Sequence, residues 1–127
     1  MASVQETNKA GVTRYFIEVL QNQNVSLIPQ MLAPSYTFNG KPASVAGNQK
    51  FVAFLQSQYP GFRYDILGTF AMDDKVIITW RLNAPAIPSG PNARPSGTIM
   101  GSNFLTCANN QAVSNVQVSE DFVPDPA

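Results

Sequence analysis

A pair of strand-like runs joined by a tight turn most constrains what this chain can fold into. From Phe62 to Phe70 apolar and polar residues alternate, Asp73-Asp74 supplies a turn, and Val76 to Asn83 returns rich in β-branched and aromatic residues. That pattern predicts a long antiparallel hairpin. One hairpin cannot bury both of its faces, so the rest of the chain must cover one face and extend the edges. Three upstream segments of helical period, and two further strands at Thr98 to Ala108 and Ala112 to Phe122 joined at Asn109-Asn110, are available to do so. The expectation is an α+β fold: a curved, mostly antiparallel sheet wrapped over three N-terminal helices, with a pocket between the layers.

Upstream, Val12, Tyr15, Phe16, Val19 and Leu20 recur at the spacing of one helical face between Thr7 and Gln21, with Arg14 and Glu18 four apart on the polar side. Ser26 is placed to cap a short second helix with Pro29 in its first turn, and Pro34 to stop it. Tyr36 to Asn39 reads as a short strand. Asn48 is placed to cap a third helix carrying Phe51, Phe54 and Leu55 in one stripe, which Tyr59-Pro60-Gly61 ends. Pro85 to Gly97, with four prolines and two glycines, is a loop, either a lid or a plain connection. The tail from 123 to 127 is expected to be loose.

A chain of 127 residues fits one domain, 1–127, and 44% hydrophobic against 13% charged content suits a compact globule. Eight basic residues cancel eight acidic ones without clustering, which leaves no footprint for nucleic acid or an anionic membrane. The single cysteine, Cys107, excludes an internal disulfide framework and suits a reducing compartment. No apolar run approaches the roughly 20 residues of a membrane span, and the start lacks a signal-peptide pattern. A cytoplasmic protein is expected.

Histidine is absent, which removes the commonest general base and most zinc sites. No dinucleotide or Cys-x-x-Cys motif is present either, so no cofactor and no metal are expected. Acid/base work falls to carboxylates or tyrosine. Asp73 and Asp74 occupy a turn, Glu18 and Asp65 lie on polar phases, and Asp125 is in the tail. Glu120 and Asp121, at the end of the last strand, are the candidates. Strict alternation puts Glu120 on the face of Val116 and Val118, so its carboxylate either aims toward core residues or forms a solvated strand end. Trp80 shares a phase with Ile78 and Leu82 and is either core or pocket wall, while Thr79, Arg81 and Asn83 point outward on a surface suited to dimer contact.

Several strings resemble the SnoaL-like branch of the nuclear-transport-factor-two-like superfamily. Asn8 to Leu20 resembles its opening helix, Met31 to Tyr36 its "LLAPDY" signature, Tyr59 to Asp65 its helix-to-strand junction, Val76 to Ala84 its tryptophan-bearing strand, and Gly101 to Val113 a later strand and turn. The likeness covers nearly the whole chain and implies a cone-shaped half-barrel, cystatin-like in outline, dimeric through the outer sheet face. It further implies a small hydrophobic partner molecule and chemistry of the polyketide cyclase, isomerase or lyase kind. On the family pattern Glu120 falls at the position of the cyclase aspartate, with Asp121 one residue on. Asn39 falls where many members carry histidine, as a pocket orienter or a plain turn residue. Tyr15 and Asn103 fall where ketosteroid isomerases place two donors to one oxygen, although Tyr15 also sits in the apolar stripe. Phe38, Trp80 and Val118 are expected to wall the pocket. The other reading is a non-catalytic ligand-binding or dimerisation module of the same fold.

Overall fold

The computed structural model describes residues 3–126. Its first helix, α1 (Val4–Arg14), starts where the Ser3 hydroxyl accepts from the Glu6 N–H at 3.1 Å, with an acidic residue in the first turn and a basic one in the last to suit the helix dipole. It continues without a break into a wider π-helical turn, Tyr15–Gln21, that buries Tyr15, Phe16, Val19 and Leu20. A 3-10 turn (Val25–Leu27) leads into α2 (Ile28–Met31). Here the Ser26 hydroxyl donates to Asn24 and caps nothing, because the 3-10 turn takes up the space a cap would occupy. The third helix, α3 (Val45–Gln58), is capped by Ser44, which accepts from Gly47 N–H at 3.0 Å. Asn48, expected as that cap, instead lies inside the helix and is buried. The buried stripe is correspondingly Asn48, Val52 and Leu55, and Phe54 is exposed.

The sheet comprises β1 (Leu32–Phe38), β2 (Lys41–Pro42), β3 (Arg63–Met72), β4 (Lys75–Ala84), β5 (Gly97–Ala108), β6 (Gln111–Ser119) and β7 (Val123–Pro124). Its order is β2-β1-β6-β5-β4-β3, curved and unclosed, with β1 parallel to β6 and every other pair antiparallel. The expected central hairpin is β3–β4, turning at Asp73 with φ 55°. The β5–β6 turn has Asn109 at φ 53° and Asn110 at φ 63°, the left-handed pair a two-residue hairpin loop requires. On β4, Val76, Ile78, Trp80, Leu82 and Ala84 are all buried against the helices. Among the described residues no helix is long and apolar enough to cross a membrane.

Two single-residue bulges set which side chains face inward. Leu67 is the extra residue in β3, and Val113 the extra residue in β6, where the pairing with β5 slips by one between Thr106 and Cys107. A one-residue slip exchanges the faces of everything beyond it. Hence Asn115 and Gln117 turn inward, while Val116 and Val118 turn outward and are exposed. The tail also departs from expectation. Val123–Pro124 pairs with Gly97–Thr98 of β5, and Asp125 N–H donates to Ser96, so the segment continues the edge of β5 that β6 leaves free. Ala127 lies outside the described residues.

Candidate functional site

Between the first helix, β1, α3 and the inner faces of β5 and β6 lies a cavity of about 250 Å³. Apolar side chains from the helices and β1, Phe16, Leu20, Phe38 and Phe51 among them, form most of its wall. Phe38 and Phe51 hold each other at 5.8 Å between ring centroids. The polar part comes from the sheet and from two tyrosines.

That polar part is a buried chain of hydrogen bonds. Trp80 Nε1 donates to Asn103 Oδ1 at 2.7 Å, Asn103 Nδ2 donates to Asn115 Oδ1 at 2.9 Å and to Gln117 Oε1 at 3.3 Å, and Asn115 Nδ2 donates to the Tyr36 hydroxyl at 3.1 Å. Asn103 is 1% and Asn115 3% exposed, so the amides depend on one another for partners. The Tyr36 oxygen is an acceptor in this chain and its own proton has no partner among the described residues, so the hydroxyl of this cavity-lining side chain keeps a donor free. Burial pushes the Tyr36 hydroxyl up to about 12, against a smaller lowering from the Asn115 bond. It therefore stays a neutral donor through the ordinary pH range. Tyr15 is raised well above its usual value by burial and by the neighbouring Tyr36 and Tyr64, and its hydroxyl donates to Asn48 Oδ1.

The residues expected at a site divide into three groups. Tyr15, Phe38 and Asn103 line the cavity. Tyr15 and Asn103 do not form a pair of free donors, however, because the hydroxyl of the first is given to Asn48 and the amide of the second is fully engaged with Trp80, Asn115 and Gln117. Trp80 sits one layer behind Asn103, 3% exposed, with its ring 5.3 Å from Tyr64 and 6.3 Å from Phe16.

Asn39 is exposed at φ 51° in the turn after β1, where its Oδ1 accepts from Gln117 N–H at 2.8 Å and its own N–H donates to Asn115 C=O at 2.8 Å. It fixes the parallel β1–β6 join and does not reach into the cavity. Val118, Glu120 and Asp121 are exposed. Val118 and Glu120 border a shallow depression on the opposite face of the sheet, with Leu67, Met100 and Phe104. The β6 bulge is the physical reason: it reverses the alternation that had aimed Glu120 at the core.

Tyr36 and Asn115 were not singled out from the sequence, although they form the end of the polar chain nearest the helices. The available signal was the Asn115-x-Gln117 spacing opposite Asn103, three amide side chains on what otherwise reads as an apolar hairpin. Among the described residues that line the cavity there is no carboxylate. The arrangement can bind, orient and polarise an uncharged oxygen; it holds no side chain of ordinary basicity to take a proton from carbon.

A family profile described as the SnoaL-like domain matches residues 12–115. Among solved structures, the chain is similar to a candidate polyketide cyclase from Acidithiobacillus ferrooxidans, with TM-score 0.78 and 25% identity over 94% of this chain and 92% of that one. It also shares its fold with IdmH, a candidate polyketide cyclase from Streptomyces antibioticus (TM-score 0.77, 12% identity, 89% and 91% covered). A SnoaL-like polyketide cyclase from Agrobacterium tumefaciens has the same fold (TM-score 0.74, 11% identity, 86% and 88% covered). No curated protein matches the sequence.

Proposed function

The chain belongs to the SnoaL-like family, and from that premise we propose that its inner cavity binds a small, uncharged, mainly apolar carbonyl compound. The observation that carries this reading is the Tyr36 hydroxyl, held by Asn115 on the wall of a mainly apolar cavity with its donor free among the described residues. Cavities of about 150 Å³ accept benzene. One of about 250 Å³ therefore suits a compound of one or two fused rings. A donor fixed before the ligand arrives costs little reorganisation and favours whatever negative charge develops on the oxygen.

Cyclisation, isomerisation or dehydration of the kind the cyclase relatives suggest would need a proton acceptor besides this donor. Glu120 borders the outer depression and Asp121 is exposed, and neither lines the cavity. Binding with polarisation is therefore the first reading, and acid/base catalysis is the second, favoured only by the names of the structural relatives.

The test is calorimetric titration with a bicyclic ketone and with the hydrocarbon of the same skeleton. The ketone should bind about five- to tenfold more tightly, the worth of one hydrogen bond in a dry site. Tyr36→Phe should erase that difference, and Glu120→Gln should leave it intact. Equal affinities in the native protein sink the reading.

The same proposal includes a homodimer through the outer sheet face. Its support is a row of neighbouring side chains, Phe70, Ile77, Phe104 and Val116, one from each of β3 to β6, exposed at 63, 36, 46 and 47%. A cytoplasmic location belongs with it, supported by a buried cysteine in the thiol form.

A further inference from the structure

Tyr15 borders a second, smaller cleft of about 120 Å³, enclosed by α1, the start of β1 and the turn end of the β5–β6 hairpin. Val12, Leu32, Leu105 and Ala112 make it apolar. Polar groups interrupt that character, Thr7, Asn110 and Gln111 along with the Cys107 thiol and the Asn8 amide, and of these only Asn8 and Cys107 are themselves buried. Asn8 is only 7% exposed, and among the described residues its side chain has no hydrogen-bond partner. The amide is not among the sealed, partnerless polar atoms of the structure, so the accessibility it keeps, on a helix face otherwise given to Val12 and Tyr15, leaves its donor and acceptor free for a molecule in the cleft. Gly11 stands beside it in the wall, and a Cβ built there meets nothing within 4 Å. The poorest helix former short of proline thus occupies a helical position where a side chain would have room to narrow the cleft.

We propose that this cleft is a second binding site, for a single-ring or similarly small molecule with an apolar body and one uncharged hydroxyl held by the Asn8 amide. The amide offers both a donor and an acceptor, which a hydroxyl can match in turn. The volume is comparable to the roughly 150 Å³ that accommodates benzene. A carboxylate analogue is excluded, since neither Asn8 nor Cys107 supplies a positive charge to offset its desolvation. The proposal does not rest on the carbonyl reading of the inner cavity, with which the cleft shares only the wall formed by Tyr15.

Phenol, benzene and benzoate are the probes, titrated into the full chain while backbone amide resonances are followed. Phenol should produce saturable shifts at Gly11, Val12 and Ala112, and benzoate none. Asn8→Leu should weaken phenol about fivefold and leave benzene unweakened. Shifts centred on Gly47 and Gln117 would assign phenol to the inner cavity and overturn the proposal, as would equal binding of phenol and benzoate. Should Asn8→Leu fail to fold, the native protein decides. Saturating phenol should slow alkylation of Cys107 at least fivefold, and an unchanged rate means that the cleft is empty.

Discussion

Trp80 donates its indole N–H to Asn103 across adjacent strands at 2.7 Å, and Asn103 carries that link on to Asn115 and Gln117 in the cavity wall. Asn103→Leu keeps the volume but leaves the indole N–H and one face of Asn115 without partners. Each buried orphan costs about 1–3 kcal/mol, so urea unfolding should report a loss of about 2–4 kcal/mol. Trp80→Phe on the same background should cost less than it does alone, because the donor is already idle. Strictly additive losses in that cycle would mean that the bond contributes nothing.

Alkaline pH should unfold the protein cooperatively. Burial raises Tyr15 and Tyr64 and brings Tyr36 from 10.0 to about 12. The folded state thus holds phenolic protons more tightly than the unfolded chain. The resulting stability is complete below pH 10 and is lost as pH rises through about 12. For Tyr36 the two-unit rise corresponds to roughly 2–3 kcal/mol. Tyrosinate absorbance from these residues should appear with unfolding and not before it. In Tyr36→Phe the slope of unfolding free energy against pH over this window should shallow by about one proton.

The fold was largely legible because its signals are local: alternation over Phe62 to Asn83, the Asn109-Asn110 turn and the apolar stripe of the first helix each fix an element without reference to distant parts. The site was less so. Val113 carries no mark of a bulge, yet by adding one residue to β6 it reverses the facing of Val116, Val118 and Glu120 and brings Asn115 and Gln117 inward. A register slip is decided by how two strands and their covering helices pack, which no single window of sequence contains. Asn39 was ambiguous for a related reason. Its turn conformation is readable beside Gly40, but its hydrogen bond to Gln117 depends on the parallel join of β1 to β6 across 78 positions.

Gly101 is required by its cross-strand partner. A Cβ placed there would lie 2.3 Å from the Trp80 ring, which Phe16 and Tyr64 prevent from retreating. Gly101→Ala should cost about 1–3 kcal/mol by overpacking and shift tryptophan emission to the red. Trp80→Phe removes the ring atoms that collide and should recover part of the loss. No recovery would place the strain in the backbone instead.

The outer face should make self-association depend on concentration. Phe104 lies in the middle of the apolar row, opposite Ile77 on one side and Val116 on the other. Phe104→Asp places a charge on each copy at the centre of any two-fold contact, so sedimentation should find a monomer whose unfolding free energy matches that of the dissociated native chain. A variant that still dimerises would remove this face from consideration.

Arg94 is the clamp on the proline-rich loop. Its guanidinium carbon lies 4.5 Å from the centroid of the Tyr59 ring and 5.5 Å from that of Phe122, and its backbone exchanges two 2.9 Å hydrogen bonds with Ile87. One side chain therefore ties the loop to the end of α3 and to the segment between β6 and β7. Arg94→Ala should cost about 1–2 kcal/mol, the sum of two partly exposed cation–π contacts. Amide exchange at Ile87 and Arg94 should quicken in the variant, and so should proteolysis between 86 and 96. Arg94→Lys keeps the charge but loses the planar stack, and should fall between the two. Because neither Arg94 nor its partners line the inner cavity, ketone affinity should stay at the native value while the loop loosens. A parallel fall in affinity would instead make the loop a cover for that cavity.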